Sequence, residues 1–230
     1  MRIQKLNSDT KKNLLEDLLK RSPNNYGQYE AAVADIVNAV KERGDEAVFG
    51  YTKQFDRCTV TADTVRVKEE EIREALEAVG PEFCRVMERS AANIRAFHEK
   101  QLRRSWFDAK PDGTILGMKV LPLSSAGVYV PGGKAAYPSS VLMNVIPAKV
   151  AGVERIVMVT PPGPDGKVNA GTLAAASIAG VTEIYRVGGA QAIAALAFGT
   201  QSIPKVDKIT GPGNIYVALA KKACFGYVSI

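Results

Sequence analysis

The chain has 230 residues, a formal net charge of +6, and 46% hydrophobic against 23% charged residues. That balance suits a globular protein with a sizeable core, in one large or two small domains. No run of eighteen apolar residues marks a transmembrane helix, and the charged start MRIQKLNSDTKKNLLEDLLK lacks a signal-peptide apolar core. Cys58, Cys84 and Cys224 show no CxxC spacing, which fits a reducing cytoplasm, and a lone His98 cannot build a multi-histidine metal site. The basic excess lies in residues 121–230, with nine Lys/Arg against four Asp/Glu, but only Lys221 and Lys222 are adjacent. No nucleic-acid signature accompanies them, so neither nucleic acid nor membrane is an expected partner.

The first half reads as helices. DTKKNLLEDLLKR carries a stripe of Leu14, Leu15, Leu18 and Leu19. GQYEAAVADIVNAVKERG forms a second helix that ends at Gly44, a residue suited to a C-terminal stop. KEEEIREALEAVG begins with Glu69-Glu70-Glu71, read as a solvated helix start, and stops at Gly80. Pro81 opens PEFCRVMERSAANIRAFHEKQLRRS, where Phe83, Val86, Met87, Ile94 and Phe97 give a buried face. TILGMKVLPL then predicts a strand pair or extended segment.

Residues 124–230 alternate strand and helix, with strands starting near 126, 155, 183 and 206. This spacing predicts βαβ units and a parallel sheet covered on both faces. The expected fold class is α/β: a helix-rich region over residues 1–122, then a doubly wound parallel-sheet domain over 123–230.

In such sheets ligands bind beyond the carboxyl ends of the strands, where strand order reverses. Glycine-rich turns fall at three strand ends, PGGK at 131–134, GGAQ at 188–191 and GPGN at 211–214. The last two lead into helix N-termini, whose free N–H groups suit anionic or polar ligands. Tight strand-to-helix turns need glycine in any case, so no one turn decides the matter. Gln191 is the one polar side chain between Gly189 and Phe198, Asn214 holds the matching place after GPG, and Tyr129 ends the first strand. Asn214 also reads as a helix cap and Tyr129 as a packed strand aromatic. Together they offer two amides and an aromatic face, with no carboxylate, an inventory for binding a cofactor rather than for acid–base work. Neither GxGxxG nor GxxxxGK[ST] occurs. His98 has no visible catalytic partner and Cys224 reads as inert core, so no catalytic residue and no metal ligand is assigned.

AGVYVPGGKAAYPSSVLMNVIPAKVAGV, RVGGAQAIAALAFGT, IPKVDKITGPGNIYVALAKKA and NIRAFHEKQ resemble segments of the zinc- and NAD-dependent histidinol dehydrogenases, from about residue 27 onward. The resemblance implies a homodimeric enzyme with incomplete Rossmann-like domains that oxidises L-histidinol through histidinal to L-histidine, the last steps of histidine biosynthesis. It implies NAD contacts at Tyr129, Gln191 and Asn214. The family's zinc ligands and its Glu–His pair match no segment of these 230 residues, so the chain alone is expected to be inactive. Residues 27–120, as part of an incomplete Rossmann-like unit, are expected to expose apolar surface. Two alternatives stay open: a zinc-dependent paralogue oxidising another amino alcohol or a sulfonated diol, and a non-catalytic nucleotide-binding or dimerisation module.

Overall fold

The structure is a computed structural model that describes residues 5, 7–20, 26–132, 136–181 and 183–230, without the side chains of 15–20. Four parallel strands form the centre: β3 (Ser125–Tyr129), β4 (Arg155–Val159), β5 (Glu183–Tyr185) and β6 (Lys208–Thr210), in the order β5-β4-β3-β6. Strand residues alternate between two cores because successive side chains leave a pleated strand on opposite faces. Ala126, Val128, Ile156, Met158 and Ile184 enter one core. Tyr129, Val157, Val159, Tyr185 and Ile209 enter the other.

The intervening helices cover both faces, as right-handed crossovers require. α5 (Pro138–Val150) and α6 (Ala170–Ala179) pack on the first face, α7 (Gly189–Phe198) and α8 (Ile215–Cys224) on the second. Eight of the ten residues of α7, from Ala190 to Ala197, are buried. The small alanines let that helix lie close to the sheet while a further helical layer covers it. The doubly wound, Rossmann-like arrangement expected of residues 123–230 is therefore present.

That outer layer comes from the first half of the chain. α1 (Ser8–Lys20) precedes α2 (Gly27–Arg43) and α3 (Asp45–Asp56), which pack on α7, and α2 also meets α8. α4 (Glu69–Glu99) lies across α5 and α6. Each core thus draws residues from both sides of residue 122: Val33, Val40 and Val48 join one, Val67 and Ala75 the other.

Several sequence expectations need correction. α3 was not anticipated: the chain does not leave helical structure at Gly44 but turns there with φ 57° and starts α3 at once. The stop at Gly80 is a kink, with φ 75° and ψ 167°, between two helical halves that continue past Pro81. Of the expected buried face, Phe83, Met87 and Ile94 are partly buried, but Val86 and Phe97 are 48% and 62% exposed. Nor is the Glu69-Glu70-Glu71 start wholly solvated. Glu71 accepts the Lys68 N–H at 2.9 Å and pairs with the Arg186 guanidinium at 2.5 Å. That hydrogen-bonded pairing outweighs the burial of Glu71 and holds its carboxyl below the usual range.

The strand pair is an antiparallel hairpin, β1 (Trp106–Ala109) with β2 (Ile115–Met118), Trp106 opposite Met118. All eight of its strand residues are exposed, including Trp106, Phe107, Ile115 and Leu116. Apolar surface is indeed exposed in this region.

Candidate functional site

β3 is the point of reversal. From it the chain steps outward through β4 and β5, then crosses back to place β6 on its other side. The turns after β3 and β6 meet closely there: a Cβ at Gly211, where φ is 107°, would lie 2.0 Å from the Tyr129 carbonyl oxygen. Only glycine satisfies both the backbone angle and that approach.

Beyond these strand ends lies a cavity of about 590 Å³, lined by Tyr129, Gly132, Pro161, Gly189, Gln191, Asn214, Tyr216 and the α3 residues Gln54, Phe55 and Asp56, among others. The volume falls within the roughly 300–1,000 Å³ usual for small-molecule sites. All three residues singled out in the sequence line it. Of the PGGK turn, Gly133 and Lys134 lie outside the described residues.

Tyr129 is 4% exposed, and its hydroxyl accepts the Gly189 N–H at 3.2 Å, tying the end of β3 to the start of α7. Burial pushes its phenol up, offset in part by that hydrogen bond. Gly189 has φ 64°, and a Cβ there would come within 2.6 Å of the Gln191 Oε1. Gln191 itself is 1% exposed, and neither its Oε1 nor its Nε2 has a hydrogen-bond partner among the described residues. An amide buried without partners costs about 1–3 kcal/mol. Asn214 caps α8: its Oδ1 accepts the Val217 N–H at 3.2 Å, and its NH₂ group has no partner among the described residues. The capping reading of Asn214 and its place on the cavity wall are therefore both correct.

The third wall was missed in the sequence. α3 ends over the cavity with Phe55, 52% exposed and stacked on Tyr51 at 5.7 Å, followed by Asp56. The expectation of a rim without a carboxylate is thus wrong. It considered only the strand-end turns, whereas Asp56 arrives from a distant helix packed on α7. Its Oδ2 is buried without a partner, and burial pushes its carboxyl up to about 6. No Lys, Arg or His lines the cavity among the described residues.

The opposite end of α3 is anchored. Asp45 accepts the Ser202 hydroxyl at 2.5 Å and the Ser202 N–H at 3.2 Å, while its own N–H donates to the Gln201 Oε1 at 2.8 Å. These bonds fix α3 to the connection between α7 and β6, and so fix the cavity wall. Lys221 of α8 donates to the Gly211 carbonyl at 2.6 Å and braces the GPGN turn from behind.

His98 lies near the end of α4, bonded to the Gln101 side chain at 2.7 Å, and is not among the residues lining this cavity. Cys224 is fully buried, and burial pushes its thiol up to about 11, which fits inert core. The described residues bring together no group of three or more His, Cys, Asp or Glu that could hold a metal ion. No described helix is long and apolar enough to cross a membrane.

The chain matches the family model described as Histidinol dehydrogenase over residues 19–230. It is 60% identical over 199 residues to a Bacillus licheniformis protein named histidinol dehydrogenase, covering 86% of this chain and 46% of the relative. It is 54% identical over 232 residues to the Aquifex aeolicus protein of the same name, covering all of this chain and 53% of that relative. A crystal structure of histidinol dehydrogenase from Elizabethkingia anophelis superposes with TM-score 0.81 at 34% identity, over 100% of this chain and 48% of that one. The chain spans about half the length of the curated relatives it matches. It belongs to the histidinol dehydrogenase family.

Proposed function

We propose that this chain forms the NAD-binding part of an enzyme that oxidises L-histidinol through histidinal to L-histidine, in histidine biosynthesis. The observation that carries the proposal is Gln191, whose amide is buried, without a partner among the described residues, and set in a cavity at the reversal point of a Rossmann-like sheet. A buried polar group is retained at such a cost when a ligand completes its hydrogen bonds.

The donor set fits a dinucleotide. Two helix N-termini, of α7 and α8, supply N–H groups without intrahelical acceptors at one rim. Phe55 and Tyr216 offer aromatic faces, and the glycine turns admit close backbone approach. Tyr129, Gln191 and Asn214 are the residues that would hold NAD, which when bound accepts hydride from the substrate alcohol. This chain's part is to bind and orient: the Tyr129 hydroxyl fixes the α7 turn, and Gln191 and Asn214 supply amides to the ligand.

The described residues form no group of three or more His, Cys, Asp or Glu that could hold a metal ion, and the proposal assigns metal binding and acid–base work to other parts of the enzyme. The chain alone is then expected to lack histidinol oxidation. The wider reading is a cytoplasmic homodimer, with the exposed apolar hairpin as surface available for association.

Calorimetric titration of NAD into the 230-residue chain tests the proposal. The native chain is expected to bind, and Gln191→Ala to weaken binding at least tenfold. A folded native chain that binds no NAD would overturn it. The paralogue reading is separated by a substrate panel on a full-length relative, because the cofactor half serves either substrate.

A further inference from the structure

Among the described carboxylates, Asp56 alone has a buried side-chain oxygen with no hydrogen-bond partner. The contrast within α3 is direct. Asp45, at the other end, has both oxygens engaged by Ser202. Glu71 and Glu183 each pair with an arginine. Asp56 also sits at a helix C-terminus, where the dipole opposes negative charge. The next residue, Arg57, is the one described non-glycine residue at positive φ, 57°. That left-handed turn lets the chain leave α3 immediately after Asp56, at a local cost.

Among the described residues, the cavity lining contains no cation to neutralise this carboxylate. A hydrogen-bond donor brought by the ligand would complete its hydrogen bonding. A carboxylate has two acceptor oxygens, which suit a pair of adjacent hydroxyls. It also repels a phosphate placed at the same point. In dinucleotide sites an acidic side chain that accepts the ribose 2′-hydroxyl favours the unphosphorylated cofactor. Phe55 beside it presents an aromatic ring on which a base can stack.

We propose that Asp56 accepts hydrogen bonds from the adenosine ribose hydroxyls of the bound dinucleotide and thereby selects NAD over its 2′-phosphorylated form. This rests on the NAD reading above. α3 is then a specificity wall, held in register by Asp45, Gln201 and Ser202.

The test compares NAD and NADP affinities by calorimetry for the native chain, Asp56→Asn and Gln191→Ala, with thermal unfolding of each without ligand. The native chain is expected to prefer NAD at least tenfold. Asp56→Asn is expected to weaken NAD several-fold, shrink that preference to near unity, and raise the unfolding midpoint. A folded Asp56→Asn chain with the native NAD/NADP ratio overturns the assignment of Asp56, while Gln191-dependent NAD binding would leave the wider reading standing. A folded native chain that binds neither nucleotide overturns both.

Discussion

Gln191 and Asp56 share one physical liability, a buried polar group without a partner among the described residues, but only Gln191 was visible in the sequence. It interrupts a run of Ala, Ile and Leu that otherwise reads as pure core, so composition alone marks it. Asp56 stands among the polar residues of KQFDR and becomes unusual only once α3 packs on α7. Its raised carboxyl has a definite consequence for stability. The folded state holds the Asp56 proton up to about pH 6, whereas its ordinary value is 3.8. Between those values the folded state binds more protons, so this group's contribution falls as pH rises through the window and is lost above it. The titratable groups coupled to Asp56, Tyr129 and Cys58, are themselves pushed up and stay neutral throughout. Asp56→Asn is therefore expected to flatten the pH dependence between about 4 and 6 and to stabilise the ligand-free chain at pH 7 by about 1 kcal/mol, allowing for partial exposure. Urea unfolding at several pH values reads this directly. Gly189→Ala should act oppositely: its positive φ and the approach to Gln191 predict a loss of about 1–3 kcal/mol.

At the level of elements, the sheet was the most legible part. Strands expected to start near 126, 155, 183 and 206 begin at Ser125, Arg155, Glu183 and Lys208. Short apolar runs bounded by Gly and Pro carry that signal with little help from tertiary context. α3 was hidden because Gly44 reads as a stop, yet here it is a hinge between two helices. Helical periodicity likewise identified a face on α4 but not where that face runs out of partners, which is why Val86 and Phe97 lie in solvent. The anchor of α3 is testable at this scale. Asp45→Ala removes the acceptor for both Ser202 donors and is expected to cost about 1–2 kcal/mol. Hydrogen exchange should speed selectively in α3, and NAD affinity should fall although Asp45 does not line the cavity.

The whole molecule is layered, with the first half of the chain clamped over both faces of a sheet made by the second. Nothing in local sequence announces this, since it depends on contacts between residues far apart in the chain. The cavity inherits that origin: turns from the second half form its floor and α3 from the first half its wall. The hairpin contributes to neither core, so Phe107→Ser is expected to change stability by less than about 0.5 kcal/mol while reducing self-association in sedimentation. The central claim is that Gln191 is kept buried for a ligand and not for the fold. Unfolding of Gln191→Met, with and without NAD, tests it most directly. The account expects a ligand-free variant as stable as the native chain, or more so by about 1–2 kcal/mol, with the stabilisation by NAD abolished. A destabilised variant that NAD still stabilises as it does the native chain would contradict it.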